Sequence, residues 1–213
     1  MEPTNNNGAP LVTLDIDDLS SEGDGVGRLE GMVYFVRGAL PGDRVEARVV
    51  RQRPRMAHAE MVRMVESSAG RVTPLCPHQP ACGGCPLMPL DVKRALELKV
   101  RHLEEVLRRI GGLDVKAERV IASPDEVEYR SRVRFRVASR PRSPAFGFVP
   151  RGQSGGLVPI ERCYLVDEAA SRLARQALKR FDRALPGDSA WPREMQWRCA
   201  GSDGRWHLGL GLG

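Results

Sequence analysis

Between residues 12 and 65, short runs of alternating apolar and polar residues (12–16, 27–30, 32–36, 44–53 and 57–65) are separated at Gly23-Asp24-Gly25, Glu30-Gly31 and Leu40-Pro41-Gly42-Asp43. A period of two bounded by glycine and proline predicts strands. Five short strands in so little chain would expose many edges unless they close on themselves, so a small OB-like β-barrel is expected here. The polar residues 1–11, with Asn5-Asn6-Asn7-Gly8, read as a disordered leader. Ser67-Ser68-Ala69-Gly70 reads as a linker.

Beyond the linker the period changes. Val92, Leu96, Val100, Leu103, Val106, Leu107 and Ile110 fall on one helical stripe, Asp91 stands in the capping position, and Gly111-Gly112 closes the segment. The stripe predicts a helix that covers a core. Over 129–137 the period returns to two, with Tyr129, Ser131, Val133, Phe135 and Val137 on one side and Arg130, Arg132, Arg134 and Arg136 on the other. Two strands are expected around the turn at Arg151-Gly152-Gln153-Ser154-Gly155, over 146–150 and 156–160, then a helix over 167–183. A hairpin of 195–199 and 206–210 should turn at Ser202-Asp203-Gly204. The expected organisation is therefore a barrel over 12–68 and an α+β domain with an antiparallel sheet over 69–213.

Charge and thiols add chemistry to this outline. Lysine and arginine exceed aspartate and glutamate by 33 − 27 = 6, which favours a polyanionic partner. Arg28, Arg37 and other arginines on the barrel strands, and the four arginines at 130–136, are the candidate RNA-contacting residues. At about 3.3 Å per residue the second set spans roughly 20 Å of strand. A solvated face neutralised by neighbouring carboxylates is the alternative for the same pattern. The N-terminus has no signal-peptide pattern and no apolar run reaches the roughly 20 residues needed to span a bilayer, so a cytoplasmic protein with no membrane association is expected. In that compartment thiols stay reduced. Cys76, Cys82 and Cys85 sit within Cys76-Pro77-His78-Gln79-Pro80-Ala81-Cys82-Gly83-Gly84-Cys85, and Cys163 follows later. Such crowding predicts a metal centre, either an iron-sulfur cluster or a zinc site completed by His78 or Cys163.

Several of these motifs carry a resemblance. Gly23-Asp24-Gly25-Val26-Gly27-Arg28, Gly31-Met32-Val33-Tyr34-Phe35-Val36 and Gly38-Ala39-Leu40-Pro41-Gly42-Asp43-Arg44-Val45 look like a TRAM domain, an RNA-binding barrel. With the cysteine knuckle, Tyr129-Arg130-Ser131-Arg132, Gly147-Phe148 and Val158-Pro159-Ile160-Glu161-Arg162-Cys163, the chain resembles the bacterial RNA uracil-5-methyltransferases, in the branch that modifies 23S ribosomal RNA. That resemblance implies Cys76, Cys82, Cys85 and Cys163 as ligands of a [4Fe-4S] cluster and 23S rRNA as partner. It also implies S-adenosylmethionine as cofactor of the full-length family enzyme. Cys-x3-Cys-x2-Cys, used by radical S-adenosylmethionine enzymes, differs from the five-residue first gap here. No glycine-rich methyl-donor loop and no nucleophilic cysteine in an Asp-Pro-Pro-Arg setting occur in the chain. The expectation is an RNA- and cluster-binding portion whose methyltransferase domain is separate, with a stand-alone RNA adaptor as the rival reading.

Overall fold

The computed structural model describes residues 9–138, 144–185, 191–200 and 205–211, which fall into two compact units. The expected turn at Ser202-Asp203-Gly204 and most of the leader lie outside the described residues.

The first unit comprises residues 1–74 and 86–122. Strands β1 (Leu11–Leu19), β2 (Gly25–Leu29), β3 (Met32–Arg37), β4 (Arg44–Arg53) and β5 (Met56–Glu66) close into a barrel in the order β1-β2-β3-β5-β4. Every neighbouring pair is antiparallel except β3 with β5. Alternation places Val12, Leu14, Ile16, Val36, Val45, Ala47, Ala57 and Ala59 inside. At Gly25 an added Cβ would meet the Ala39 carbonyl oxygen at 2.8 Å, so glycine permits the close approach there.

The segment read as a linker is latched onto this barrel. Asp43, whose side chain is wholly buried, pairs with Arg71 at 2.5 Å and also accepts from the amides of Leu40 at 2.7 Å and Ser68 at 2.9 Å. Arg71 donates onward to the Gly38 carbonyl at 3.0 Å. A carboxylate removed from water needs every one of these donors.

Helix α1 (Val92–Arg109) forms where expected, its first amides capped by Asp91. Its role differs from the expectation. The residue it buries is Ala95, which joins Leu40 and Leu90 with Leu19 and Leu98 alongside. The stripe expected to cover a core is largely solvent-facing, with Leu103 53% and Ile110 83% exposed. The small face turns inward because an alanine lets the helix approach Leu90 closely, whereas the longer stripe residues lie on another side.

The second unit comprises residues 75–85 and 123–213. It is built on β6 (Arg132–Ala138), β7 (Ala145–Phe148), β8 (Val158–Pro159), β9 (Glu194–Ala200) and β10 (Arg205–Gly211), in the order β10-β9-β6-β7-β8, all antiparallel. Helix α2 (Glu168–Ala184), capped by Asp167, brings Ala170, Ala174, Ala177 and Leu178 into one core with Val133, Phe135, Phe146, Met195 and Trp197. Burying side chains such as Phe135 and Met195 contributes about 1.5–3 kcal/mol each. Two strands are shorter than expected. β8 keeps only two residues, and β6 starts at Arg132 because Arg130 instead bridges in parallel to Val166.

Candidate functional site

All four motif cysteines belong to the second unit. The loop that carries three of them folds on itself: the Cys82 amide donates to the His78 carbonyl at 2.9 Å, and the Gln79 side chain donates to the Cys85 carbonyl at 2.5 Å. Gly83 lies against the strand connection, its amide bonded to the Val149 carbonyl at 3.3 Å, and Cys82 bridges Pro150. A Cβ on Gly83 would come within 3.1–3.3 Å of the backbone of Val149 and Arg151, so a side chain there would push the loop away.

Cys163 comes from the segment between β8 and α2, where its amide donates to the Ser171 hydroxyl at 3.1 Å. Its neighbours are fixed from the other side. The Glu128 amide donates to the Tyr164 carbonyl at 2.9 Å and the Arg130 amide to the Leu165 carbonyl at 2.8 Å. Glu128 holds a left-handed φ of 57°, and its carboxylate pairs with Arg162.

The thiols sense one another. Burial, then the charges of Cys163 and Cys82, push the Cys85 thiol up to about 11, while Arg130 pulls the other way. Burial likewise raises Cys163 and Cys82, each opposed by a backbone amide at its sulfur, that of Leu165 for Cys163 and that of Gly84 for Cys82. Thiols whose ionised forms would repel one another, with amide donors and an arginine around them, are a donor set that a group binding thiolates would relieve. By residue type, four thiols suit such a group. Among the described residues no three His, Cys, Asp or Glu side chains form a chelating cluster, so the four thiols are neighbours rather than a closed chelate. Cys199 stands apart in β9, opposite Trp206 of β10.

The candidate RNA residues divide into three environments. On the barrel, Arg28 pairs with Asp17 at 2.8 Å and Arg37 with Glu60 at 2.6 Å. Arg130 belongs to the cysteine neighbourhood: its backbone is pinned beside the Cys163 segment and its charge acts on Cys85 and Cys163. Arg132, Arg134 and Arg136 do lie on one face of β6. There Arg134 stands 3.7 Å from Glu194, and Arg136 is opposite Glu194 in register. Arg132 is opposite another arginine, Arg198 of β9. Arg130, Arg132, Arg134, Gln196 and Arg198 share an open groove of about 920 Å³. Arg198 was not among the residues singled out from sequence. The signal existed in the alternation Glu194, Gln196, Arg198 against Met195, Trp197, Cys199, but the register that pairs it with Arg132 joins segments 66 positions apart.

No helix among the described residues is long and apolar enough to cross a membrane.

Comparison with known proteins places these features. Residues 11–62 match the TRAM domain family. The 23S rRNA (uracil(1939)-C(5))-methyltransferase RlmD of Acidithiobacillus ferrooxidans is 39% identical over 155 residues, 71% of this chain and 34% of the relative. RlmD of Photorhabdus laumondii is 35% identical over 72% of this chain and 35% of its own length. Among solved structures, the tRNA (uracil-54, C5)-methyltransferase of Pyrococcus abyssi, in complex with S-adenosyl-L-homocysteine, superposes with a TM-score of 0.63 at 26% identity, covering 93% of this chain and 45% of that one. The chain spans about a third of the length of the curated relatives it matches. It thus contains a TRAM domain at residues 11–62 and is, over that share of their length, a homologue of RNA (uracil-C5)-methyltransferases.

Proposed function

We propose that this chain is the RNA-binding and [4Fe-4S]-binding portion of an S-adenosylmethionine-dependent RNA (uracil-5-)-methyltransferase acting on 23S rRNA. The observation that carries the reading is the match of more than two thirds of the chain to two enzymes named for that reaction, with all four motif cysteines gathered in one unit. Domain limits of 12–68 for the barrel and 69–213 for the cluster-bearing part go with this proposal.

Cys76, Cys82, Cys85 and Cys163 would hold the cluster. When bound it would supply an inorganic cross-link between the knuckle loop and the segment before α2, a structural duty consistent with four-thiolate ligation. The amides of Gly84 and Leu165 donate to sulfurs there, and Arg130 offsets negative charge. Methylation of a uracil C5 needs a thiolate to add at C6 and a base to take the C5 proton. We assign those groups, and the methyl donor's site, to a methyltransferase domain separate from the residues described. The present residues bind and orient RNA. The cationic face of β6 and β9 and the barrel arginines 51, 53 and 55, which sit exposed at the β4–β5 hairpin, supply positive charge for that task.

Anaerobic purification followed by metal analysis and a visible spectrum tests the assignment. The expected protein is brown, with about four irons and four sulfides per chain, and loses its colour in the Cys163→Ser variant. A colourless protein with one zinc would overturn the cluster.

A further inference from the structure

The arginines of the second sheet are not equivalent, and their register identifies which of them await an anion. Cross-strand pairs on the exposed face form three rows. One holds Arg136, Glu194 and Gly211; the next holds Arg134, Gln196 and Gly209; the third holds Arg132, Arg198 and His207. In the first two rows Glu194 serves both arginines, lying opposite Arg136 and 3.7 Å from Arg134, and the β10 positions are glycines with no side chain. In the third row two arginines stand directly opposite one another in register. Neither Arg132 nor Arg198 makes an ion pair with a carboxylate among the described residues, and both are exposed, as is His207.

Like charges directly opposite on antiparallel strands, with Cβ atoms about 5 Å apart, oppose the pairing that brings them together. Glutamine at 198 would fill the sheet surface without that cost. Two facing forks present donors to the oxygens of one phosphate between them, and charge-assisted bonds of that kind offset the repulsion.

We propose that Arg132 and Arg198 form a clamp for a backbone phosphate of single-stranded RNA, with His207 donating to the same strand beyond it. The row runs perpendicular to the strands, covering roughly 10 Å from β6 through β9 to β10. The RNA therefore crosses β6, β9 and β10 rather than following β6 along its length, and Arg136 lies off its path. The glycines at 209 and 211 leave the adjoining part of β10 low, so the chain of nucleotides meets no side chain beside the clamp. This inference rests on the proposed RNA-binding function and adds its route and two residues, Arg198 and His207.

The test is binding of a fluorescein-labelled 12-nucleotide single-stranded RNA of mixed sequence to the full chain over a range of salt. Arg198→Gln and Arg132→Gln should each weaken binding about fivefold, and removing both should lower the slope of log affinity against log salt by about one, since they share one phosphate. Arg136→Gln, whose charge Glu194 already faces, should weaken binding less than either clamp substitution, and Glu194→Gln should strengthen binding. Arg198→Lys, which keeps charge but not the fork, should fall between wild type and Arg198→Gln. Thermal unfolding of each variant confirms that the sheet is intact, and the double variant Arg132→Gln/Arg198→Gln should be at least as stable as wild type because the repulsion is gone. Wild-type binding that survives both clamp substitutions unchanged, or that is lost with Arg136→Gln instead, overturns the clamp while leaving the RNA-binding function standing. No RNA binding by the wild-type chain overturns both.

Discussion

On the barrel, Arg28 meets Asp17, Arg37 meets Glu60 and Arg63 meets Glu46, each at 2.5–2.8 Å. On the five-stranded sheet, Glu194 has two arginines near it, and Arg132 faces Arg198. Both surfaces are rich in arginine in sequence, yet these three barrel arginines have their charge met within the fold, whereas Arg132 and Arg198, like the exposed Arg51, Arg53 and Arg55 at the β4–β5 hairpin, have no carboxylate partner among the described residues. Arginine content therefore says little about where a polyanion binds. The unpaired remainder does, and it depends on which strands are neighbours.

The comparison can be sharpened first at the pair with most at stake. Asp43→Ala leaves Arg71 without its buried partner and strips the Leu40 and Ser68 amides of their acceptor. It should cost about 3–5 kcal/mol, read by urea unfolding of the full chain. A loss below about 1 kcal/mol would put this pair among ordinary surface contacts. On the sheet, Gly147→Ala introduces a Cβ that would lie 1.9 Å from the Val158 carbonyl oxygen. It should destabilise by about 1–3 kcal/mol as β8 is forced away. Calorimetry that finds the variant as stable as wild type would show that β8 moves freely.

Smaller effects follow where charge is already matched. Arg28→Ala and Arg37→Ala should each change stability by less than about 1 kcal/mol and RNA affinity less than twofold. A larger loss of RNA binding from either would mean that its carboxylate partner releases it to the ligand, and the contrast between the two surfaces would weaken. The smallest effect concerns acid. The hydrogen bond and charge of Arg63 hold the Glu46 carboxyl below its usual value. A depressed carboxyl contributes stability above the ordinary glutamate range and loses it as pH falls through the folded value. Arg63→Gln should therefore flatten the acid side of a plot of Tm against pH and leave the alkaline side unchanged.

Local pattern carried much of this fold. β4 occupies the segment 44–53 that its alternation and flanking turns predict, Asp91 caps the helix expected after it, and Asp167, read as the first residue of the second helix, is its cap. What failed was partner choice. The stripe from Val92 to Ile110 is regular, yet periodicity identifies a face without saying what lies against it, and Ala95 contributes too little hydrophobicity to mark the side that packs. Arg130 has the spacing of a β6 residue but sits beside the Cys163 segment, since a parallel bridge to Val166 captures its backbone. The cysteines were visible because three of them are adjacent in sequence. That Cys163 shares a unit with them, and that Arg198 stands opposite Arg132, depend on long-range contacts and register; alternation is a single sequence's only guide to the second, and the family resemblance pointed to the first.

Closure of β1 to β5 has a counterpart in the handling of the protein. A ring of strands offers nothing for another molecule to zip onto, whereas the described sheet ends in β10, seven residues long, against a far margin of only two residues in β8. Arg205 and His207 put polar bulk along that margin while Gly209 and Gly211 leave it bare. Self-association of concentrated samples should thus begin at residues 205–211 by strand addition, and a lysine in place of Gly209 should raise the concentration at which it sets in.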